Sequence, residues 1–269
     1  MATMESPVRP AVLIVIPAYR EARRLPVLLA DVAAHAAAFA RLDAPYTIHF
    51  RVVDGGSPQP ESDAMRRSVE ALRLDSLVSY DRLARNRGKG GAIRSGFDRG
   101  LAEGYRYLGF VDADAAVSIG ELRRAVDCLV DTRNRPPLAG VIGSRVKLLG
   151  RRVERSAARH CVGRLFATIV SLMFGQSVYD TQCGLKVFER EALARHLDAP
   201  IDEHWTWDTA LLFSMLHDGE PVHEIPIDWT ERAGSKLTFV RDPVVMLWRL
   251  MRFRRRLGAR DTSRRRTSG

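Results

Sequence analysis

Apolar positions in the first half of the chain alternate between two rhythms. Ala11-Val12-Leu13-Ile14-Val15-Ile16 is an unbroken apolar run ended by Pro17, the pattern of a strand buried on both faces. From about Pro26 to Arg41 apolar residues recur at helical spacing in an alanine-rich stretch, and Thr47 to Val53 returns to a β-branched strand pattern that stops at Asp54-Gly55-Gly56-Ser57. The alternation continues with a helix over about Glu61 to Arg73, a strand near Leu77 to Tyr80, a helix over about Gly91 to Glu103 and a strand from Tyr107 to Val111. Glu121 to Asp131 reads as a further helix and Ala139 to Ser144 as a further strand. Strands joined by helices pair in parallel, so the pattern predicts an α/β domain whose mostly parallel sheet is flanked by helices.

Beyond Ser144 long helical stretches take over, at Ala157 to Phe174, Glu189 to Arg195 and Trp207 to His217, with a strand near Val222 to Trp229. No repeat or linker interrupts the chain, so one domain is expected over residues 1–238, followed by a basic amphipathic segment and tail over 239–269. Phe239 to Leu257 intersperses Val244, Val245, Leu247, Trp248, Leu250, Met251 and Phe253 with arginines. Two readings fit that mixture: a helix lying on a membrane surface, or a last helix packed on the domain with Trp248 in its core.

Composition narrows the class. Of 269 residues 46% are hydrophobic, enough to bury a sizeable core. Cys128, Cys161 and Cys183 are odd in number and far apart, which argues against a disulfide framework or zinc site and for a reducing, cytosolic setting. With no secretory leader pattern and no run of about 18 apolar residues, the protein is expected to be soluble or peripheral, at the cytosolic face of a membrane. The formal net charge is +10, and Arg249 to Gly269 carries nine arginines against one aspartate. Such a tail suits nucleic acid, an anionic membrane face or plain solvent. No helix-turn-helix, zinc finger or aromatic RNA-binding motif accompanies it, so no nucleic-acid partner is expected. A non-catalytic nucleotide- or nucleic-acid-binding protein is the alternative from a different class.

Three polar signals follow predicted strands: Pro17-Ala18-Tyr19-Arg20-Glu21, Asp54-Gly55-Gly56-Ser57 and Asp112-Ala113-Asp114. In open parallel sheets ligands bind at those carboxyl ends, near the point where strand order reverses. Two carboxylates one residue apart in a turn can converge on one hard cation, Mg2+ or Mn2+, leaving positions for phosphate; alternatively they cap the next turn. Asn86-Arg87-Gly88-Lys89-Gly90-Gly91-Ala92-Ile93-Arg94 suits a diphosphate: glycines admit a close anion, Lys89 and Arg94 add charge, and a helix N-terminus follows. It has neither P-loop nor dinucleotide-fold spacing. The scattered His160, His204 and His223 read as structural or surface groups.

With those residues in place, roughly Val12 to Leu237 resembles the family 2 glycosyltransferases, in the branch of dolichyl-phosphate glucosyltransferases and polyprenyl-phosphate mannose synthases. The Pro17 to Glu21 segment is similar to that family's PAYNE, Asp54 to Ser57 to its DDGS, and Asn86 to Gly91 to its NxGKGG. Asp180-Thr181-Gln182-Cys183-Gly184-Leu185-Lys186 resembles DTQCGFK, Trp207-Asp208 an FD segment, and Gly234-Ser235-Lys236-Leu237 a GSK element. Arg20 stands where the family has asparagine, and Gly55 where it has a second aspartate.

The resemblance implies a GT-A fold and a donor site containing Pro17, Tyr19, Glu21, Asp54, Lys89, Asp112, Ala113 and Asp114. Glu21 and Asp54 would contact the nucleoside, Lys89 would lie near the diphosphate, and Asp112 and Asp114 would bind Mg2+ or Mn2+. The later motifs favour UDP over GDP and glucose as the hexose, with inversion at the anomeric carbon. A polyprenyl phosphate acceptor is already largely anionic near neutral pH, its second pKa being about 6, whereas a soluble hydroxyl acceptor needs a general base. Asp208 is the base candidate in that second case; Asp180 shares the ambiguity, and Gln182 is expected near the metal or sugar. Arg145, Arg151, Arg155 and Lys236 are candidates for the acceptor phosphate, because guanidinium forks and a lysine point charge suit it.

Overall fold

The computed structural model describes residues 9–41, 43–131, 133, 136–154, 157–200, 202–232 and 241–267. Strand β1 (Ala11–Ala18) lies in the interior of a seven-stranded sheet, followed by α1 (Leu25–Phe39), β2 (Thr47–Asp54), α2 (Gln59–Glu70), β3 (Val78–Arg82), α3 (Gly88–Ala102) and β4 (Tyr107–Val111). Then come α4 (Ile119–Val130), β5 (Gly140–Ser144), β6 (Val153–Glu154), α5 (Ala157–Phe174), β7 (Leu185–Glu189), α6 (Arg190–His196), α7 (Trp207–His217), β8 (Val222–Pro226), β9 (Trp229–Thr230) and α8 (Arg241–Thr267). The strand order is β3-β2-β1-β4-β7-β5-β8, and β6 pairs separately with β9.

The predicted α/β alternation holds, with mostly parallel pairing. Pro17 does not end the first strand, which runs on to Ala18 opposite Asp54. The Ala18 carbonyl faces β2, where it accepts from the Gly55 N–H, so the preceding nitrogen faces β4. Pairing with β4 has ended by then, at Val15 opposite Phe110, and a missing donor there costs no ladder bond. Strand β7 is not apparent in the apolar pattern. It lies antiparallel between β4 and β5, and its Leu-Lys-Val-Phe-Glu sequence is interrupted by Lys186.

Alternate residues of β1 serve two cores. Val12, Ile14 and Ile16 pack with α1, α2 and α4, while Leu13 and Val15 pack with α3, α6 and α7. A third apolar cluster joins α5, α7 and α8 through Phe166, Val170, Ala210, Phe213, Met246, Leu250, Phe253 and Leu257. The spacing of the last four places them on one stripe of α8. Trp248 is on the opposite side, 53% exposed, so it is not the core residue of the packed-helix reading. Among the described residues no helix is long and apolar enough to cross a membrane.

Candidate active site

Chain direction around β1 decides where a ligand can enter. β2 and β3 extend the sheet to one side and β4 to the other, so a crevice opens beyond Ala18 and Val111. A cavity of about 660 Å³ occupies it, reaching from Tyr19 and Lys89 past Asp112 and Asp114 to Arg145, Arg164 and Gln182. Pro17, Glu21, Ala113 and Asp180 also line it.

Asp112 leaves the end of β4, its N–H donating to the Gly184 carbonyl at 3.0 Å. A Cβ on Gly184 would lie 2.1 Å from Asp112 Oδ2, so only glycine leaves room for this carboxylate. Asp112 Oδ1 lies 2.6 Å from Lys89 Nζ. The lysine is largely enclosed, its ammonium 5.2 Å from the Phe110 ring centroid and 5.6 Å from that of Trp205. Burial pulls its pKa down, but the charges of Asp112 and Asp208 outweigh burial and hold it above the usual lysine value. Asp114 accepts the Ala116 N–H at 3.0 Å, and Ala115 between them takes a left-handed φ of 56°. Burial, then the charge of Asp112, pushes the Asp114 carboxyl up. Two hard oxygens crowded on one strained turn suit a divalent cation. Among the described residues no third His, Cys, Asp or Glu joins them.

The rest of the residues expected to bind the donor depart in part from expectation. Glu21 is buried at the cavity wall, receiving both Arg24 Nε and Nη2 at 2.6 Å. Arg20 adopts a left-handed φ of 54° and donates its N–H to Ser57 Oγ; asparagine tolerates that conformation better than arginine, a physical reason for the residue usual in the family. Asp54 does not line the cavity. It is fully buried beneath it, accepting from the Ser57 N–H at 2.9 Å and from Tyr80 OH at 2.8 Å. Burial would raise its pKa, but the hydrogen bonds from Ser57 and Ser62 outweigh burial and hold it low.

The glycine stretch begins α3 three residues earlier than expected, at Gly88 with φ 81°. Gly88 and Lys89 reach the cavity, yet a Cβ on Gly90 would lie 2.3 Å from Trp207 Cβ, and one on Gly91 2.5 Å from Arg87 Cβ. Gly91 also donates its N–H to Glu203 O at 2.9 Å. These two glycines serve close packing on the 203–207 segment rather than approach to an anion. Arg94 turns away from the cavity to Asp98 and Asp198.

On the other side Asp180 is gripped by Arg145, with Nε at 2.6 Å, Nη2 at 2.8 Å and the backbone N–H at 3.0 Å. Burial raises the Asp180 pKa, but Arg145 overcomes it and holds the carboxyl well below the usual range. Gln182 donates to Thr209 Oγ1 at 2.6 Å. Asp208 is absent from the cavity wall: it is buried and accepts from the wholly buried Lys186 Nζ at 2.6 Å. The same ammonium donates to the Thr181 and Cys183 carbonyls, tying down the turn that carries Gln182. Arg151 also misses the cavity, pairing with Glu121 and Asp228. Arg155 and Lys236, with the GSK-like segment, lie outside the described residues. Arg24, Arg164, Trp205, Trp229 and Arg232 line the cavity although no motif marked them. Trp205 had one signal, its place two residues before the Trp207-Asp208 pair.

The family model described as Glycosyl transferase family 2 matches residues 13–197, the stretch that builds most of this site. The chain belongs to that family. Among family 2 relatives, dolichyl-phosphate β-glucosyltransferase of Saccharomyces cerevisiae is 30% identical over 246 residues, covering 87% of this chain and 71% of the yeast protein. The Homo sapiens enzyme of the same name is 33% identical over 226 residues, covering 83% and 68%. Two solved structures of glucosyl-3-phosphoglycerate synthase from Mycobacterium tuberculosis share the fold. The UDP complex superposes with a TM-score of 0.65 at 16% identity, covering 91% of this chain and 80% of that one. The complex with Mn2+, UDP and glucosyl-3-phosphoglycerate gives 0.64 at 15%, covering 90% and 80%. The fold is GT-A, as the family resemblance implies.

Proposed function

We propose that this family 2 glycosyltransferase moves glucose from UDP-glucose to the phosphate of a polyprenyl phosphate, with inversion, at the cytosolic surface of a membrane. The yeast and human relatives are named for transfer to dolichyl phosphate, and of the two M. tuberculosis structures both hold UDP and one holds Mn2+ as well. Asp112 and Asp114 would hold Mg2+ or Mn2+, which offsets charge growing on the leaving diphosphate. Lys89, beside Asp112, supplies a second positive charge on that side. Tyr19 and Glu21 line the wall where the nucleoside would lie. Asp54 supports that wall from below, through the Ser57 N–H.

One observation carries the choice of acceptor. The two carboxylates that the sequence marks as base candidates for a hydroxyl nucleophile are both committed, Asp180 to Arg145 and Asp208 to a buried lysine off the cavity. A phosphate oxygen needs no base: it forms the new bond to the anomeric carbon while the bond to the diphosphate oxygen breaks, and UDP leaves with the electron pair. Asp208 then acts as a positioning residue for the Thr181–Cys183 turn.

The membrane contact rests on α5 and α8. Each packs inward, yet Leu165, Ile169 and Leu172 on α5 and Val244, Trp248 and Met251 on α8 remain exposed. Arginines of the tail, Arg252 among them with its guanidinium 4.8 Å from the Trp248 ring centroid, suit anionic headgroups.

The test is a donor-by-acceptor screen of the full chain with Mg2+ and Mn2+, reading nucleotide release and glycolipid mass. UDP release with a hexosyl polyprenyl phosphate product is expected. Transfer confined to soluble hydroxyl acceptors would overturn the reading.

A further inference from the structure

The cations around the cavity are not equivalent. Arg24 is matched by Glu21, Lys89 by Asp112 and Arg145 by Asp180. Arg164, from α5, has no carboxylate partner among the described residues. Its guanidinium lies 3.3 Å from the Tyr179 ring centroid, and Nη1 donates to the Tyr179 carbonyl. A guanidinium has five N–H donors, so one bond to a carbonyl leaves most of the fork unspent, while the stacked ring fixes its plane. Arg232 also lacks a carboxylate partner among the described residues, but it is exposed and held beside Ala115, on the donor side.

Position adds a second argument. The next residue on α5, Leu165, is 63% exposed, and Leu172 two turns on is 78% exposed. A lipid phosphate whose chain stays in the bilayer must be captured where apolar surface gives way to a charged cavity, and α5 makes that change between two consecutive residues. Tyr179 directly precedes Asp180, so the guanidinium lies next to the Arg145 pair that walls the acceptor side.

We propose that Arg164 receives the phosphate of the lipid acceptor at the mouth of the cavity, its plane set by Tyr179. This rests on the polyprenyl-phosphate reading above. Guanidinium suits the task because it is weakly hydrated and offers a planar fork to phosphate oxygens.

The experiment uses the full chain, UDP-glucose with Mn2+, and two acceptors: a long polyprenyl phosphate in phosphatidylcholine vesicles and a short water-soluble isoprenyl phosphate. For Arg164→Gln the acceptor KM should rise about tenfold or more with both, the range for losing a charge-assisted hydrogen bond, while UDP affinity by calorimetry and the melting temperature stay near wild type. Arg164→Lys should recover part of the loss. If wild type glycosylates neither acceptor, the functional reading itself falls. If wild type is active and Arg164→Gln leaves both KM values unchanged, this assignment alone is overturned. A defect seen on vesicles and absent with the soluble acceptor would overturn it too, showing a membrane anchor instead. If Arg164→Gln melts early, Arg164→Lys decides: a raised KM at wild-type melting temperature supports the contact, and an unchanged one rejects it.

Discussion

Lys89 Nζ lies 2.6 Å from Asp112 Oδ1, so a lysine holds one oxygen of the carboxylate pair that a divalent metal would need. Nucleotide and metal are therefore expected to bind cooperatively: a diphosphate draws Lys89 away and frees the carboxylate, and linkage makes the effect reciprocal. Replacing Lys89 with methionine should tighten Mn2+ binding in the absence of UDP severalfold and weaken UDP by about tenfold or more. Calorimetric titrations of Mn2+ with and without UDP check both. Equal Mn2+ affinity in wild type and variant would refute the idea.

Lys186 and Asp208 form an ion pair that is almost wholly buried. Breaking such a pair from one side leaves an uncompensated charge and costs about 3–5 kcal/mol. Lys186→Met and Asp208→Asn should each lower stability on that order in urea unfolding, and the double variant should lose less than the two together. Activity of Asp208→Asn should follow its folded fraction. Abolished transfer in a fully folded, UDP-binding Asp208→Asn protein would restore this residue as a general base.

Asp180 is depressed in the folded state by Arg145 despite its burial. The sign follows: the stabilisation is complete above the unfolded carboxylate pKa of about 3.9 and is lost as pH falls through the lower folded value. Arg145→Gln strands a buried carboxylate, so it should cost about 3–5 kcal/mol near neutral pH, a gap that narrows on acidification below about pH 4. Unfolding free energies measured across pH 3 to 7 for both proteins provide the check, and a gap that widens in acid would contradict the assignment.

Trp248 and Leu172 are the exposed apolar side chains that the membrane reading uses on α8 and α5. Deleting residues 239–269 would also remove Leu250 and Phe253 from the third cluster, so point variants are the cleaner probe. Trp248→Glu with Leu172→Glu should cut flotation on phosphatidylcholine–phosphatidylglycerol vesicles severalfold, with the melting temperature nearly unchanged. Undiminished flotation of that double variant would remove the two helices from the interface.

Much of the proposed donor side was legible because it is local. The DAD turn follows an apolar strand, and a strand end in a parallel sheet is where ligands bind, so neighbours along the chain were enough to place Asp112, Asp114 and Lys89. Asp54, Arg94 and Arg151 were as well marked by residue type, yet none lines the cavity. Each found a partner first: Asp54 in Ser57 and Tyr80, Arg94 in Asp198, Arg151 in Glu121. A charged residue beside a motif advertises chemistry without saying which way it faces.

Strand β7 shows the same division. A lysine at the second position of a five-residue strand hides it from any apolar pattern, and it is tolerated because Asp208, 22 residues later, meets its ammonium in the interior. By itself the sequence determined the alternation of strands and helices from β1 to β5 and the carboxylate pair at the end of β4, since periodicity and turn chemistry act over a few residues. Only the tertiary structure decided that β7 enters antiparallel between β4 and β5, that Asp208 is buried in an ion pair, and that Arg164 faces the cavity with no carboxylate partner among the described residues. Those outcomes depend on which charges meet across the fold, where burial makes an unmatched charge costly and so sorts paired groups from those left for a ligand.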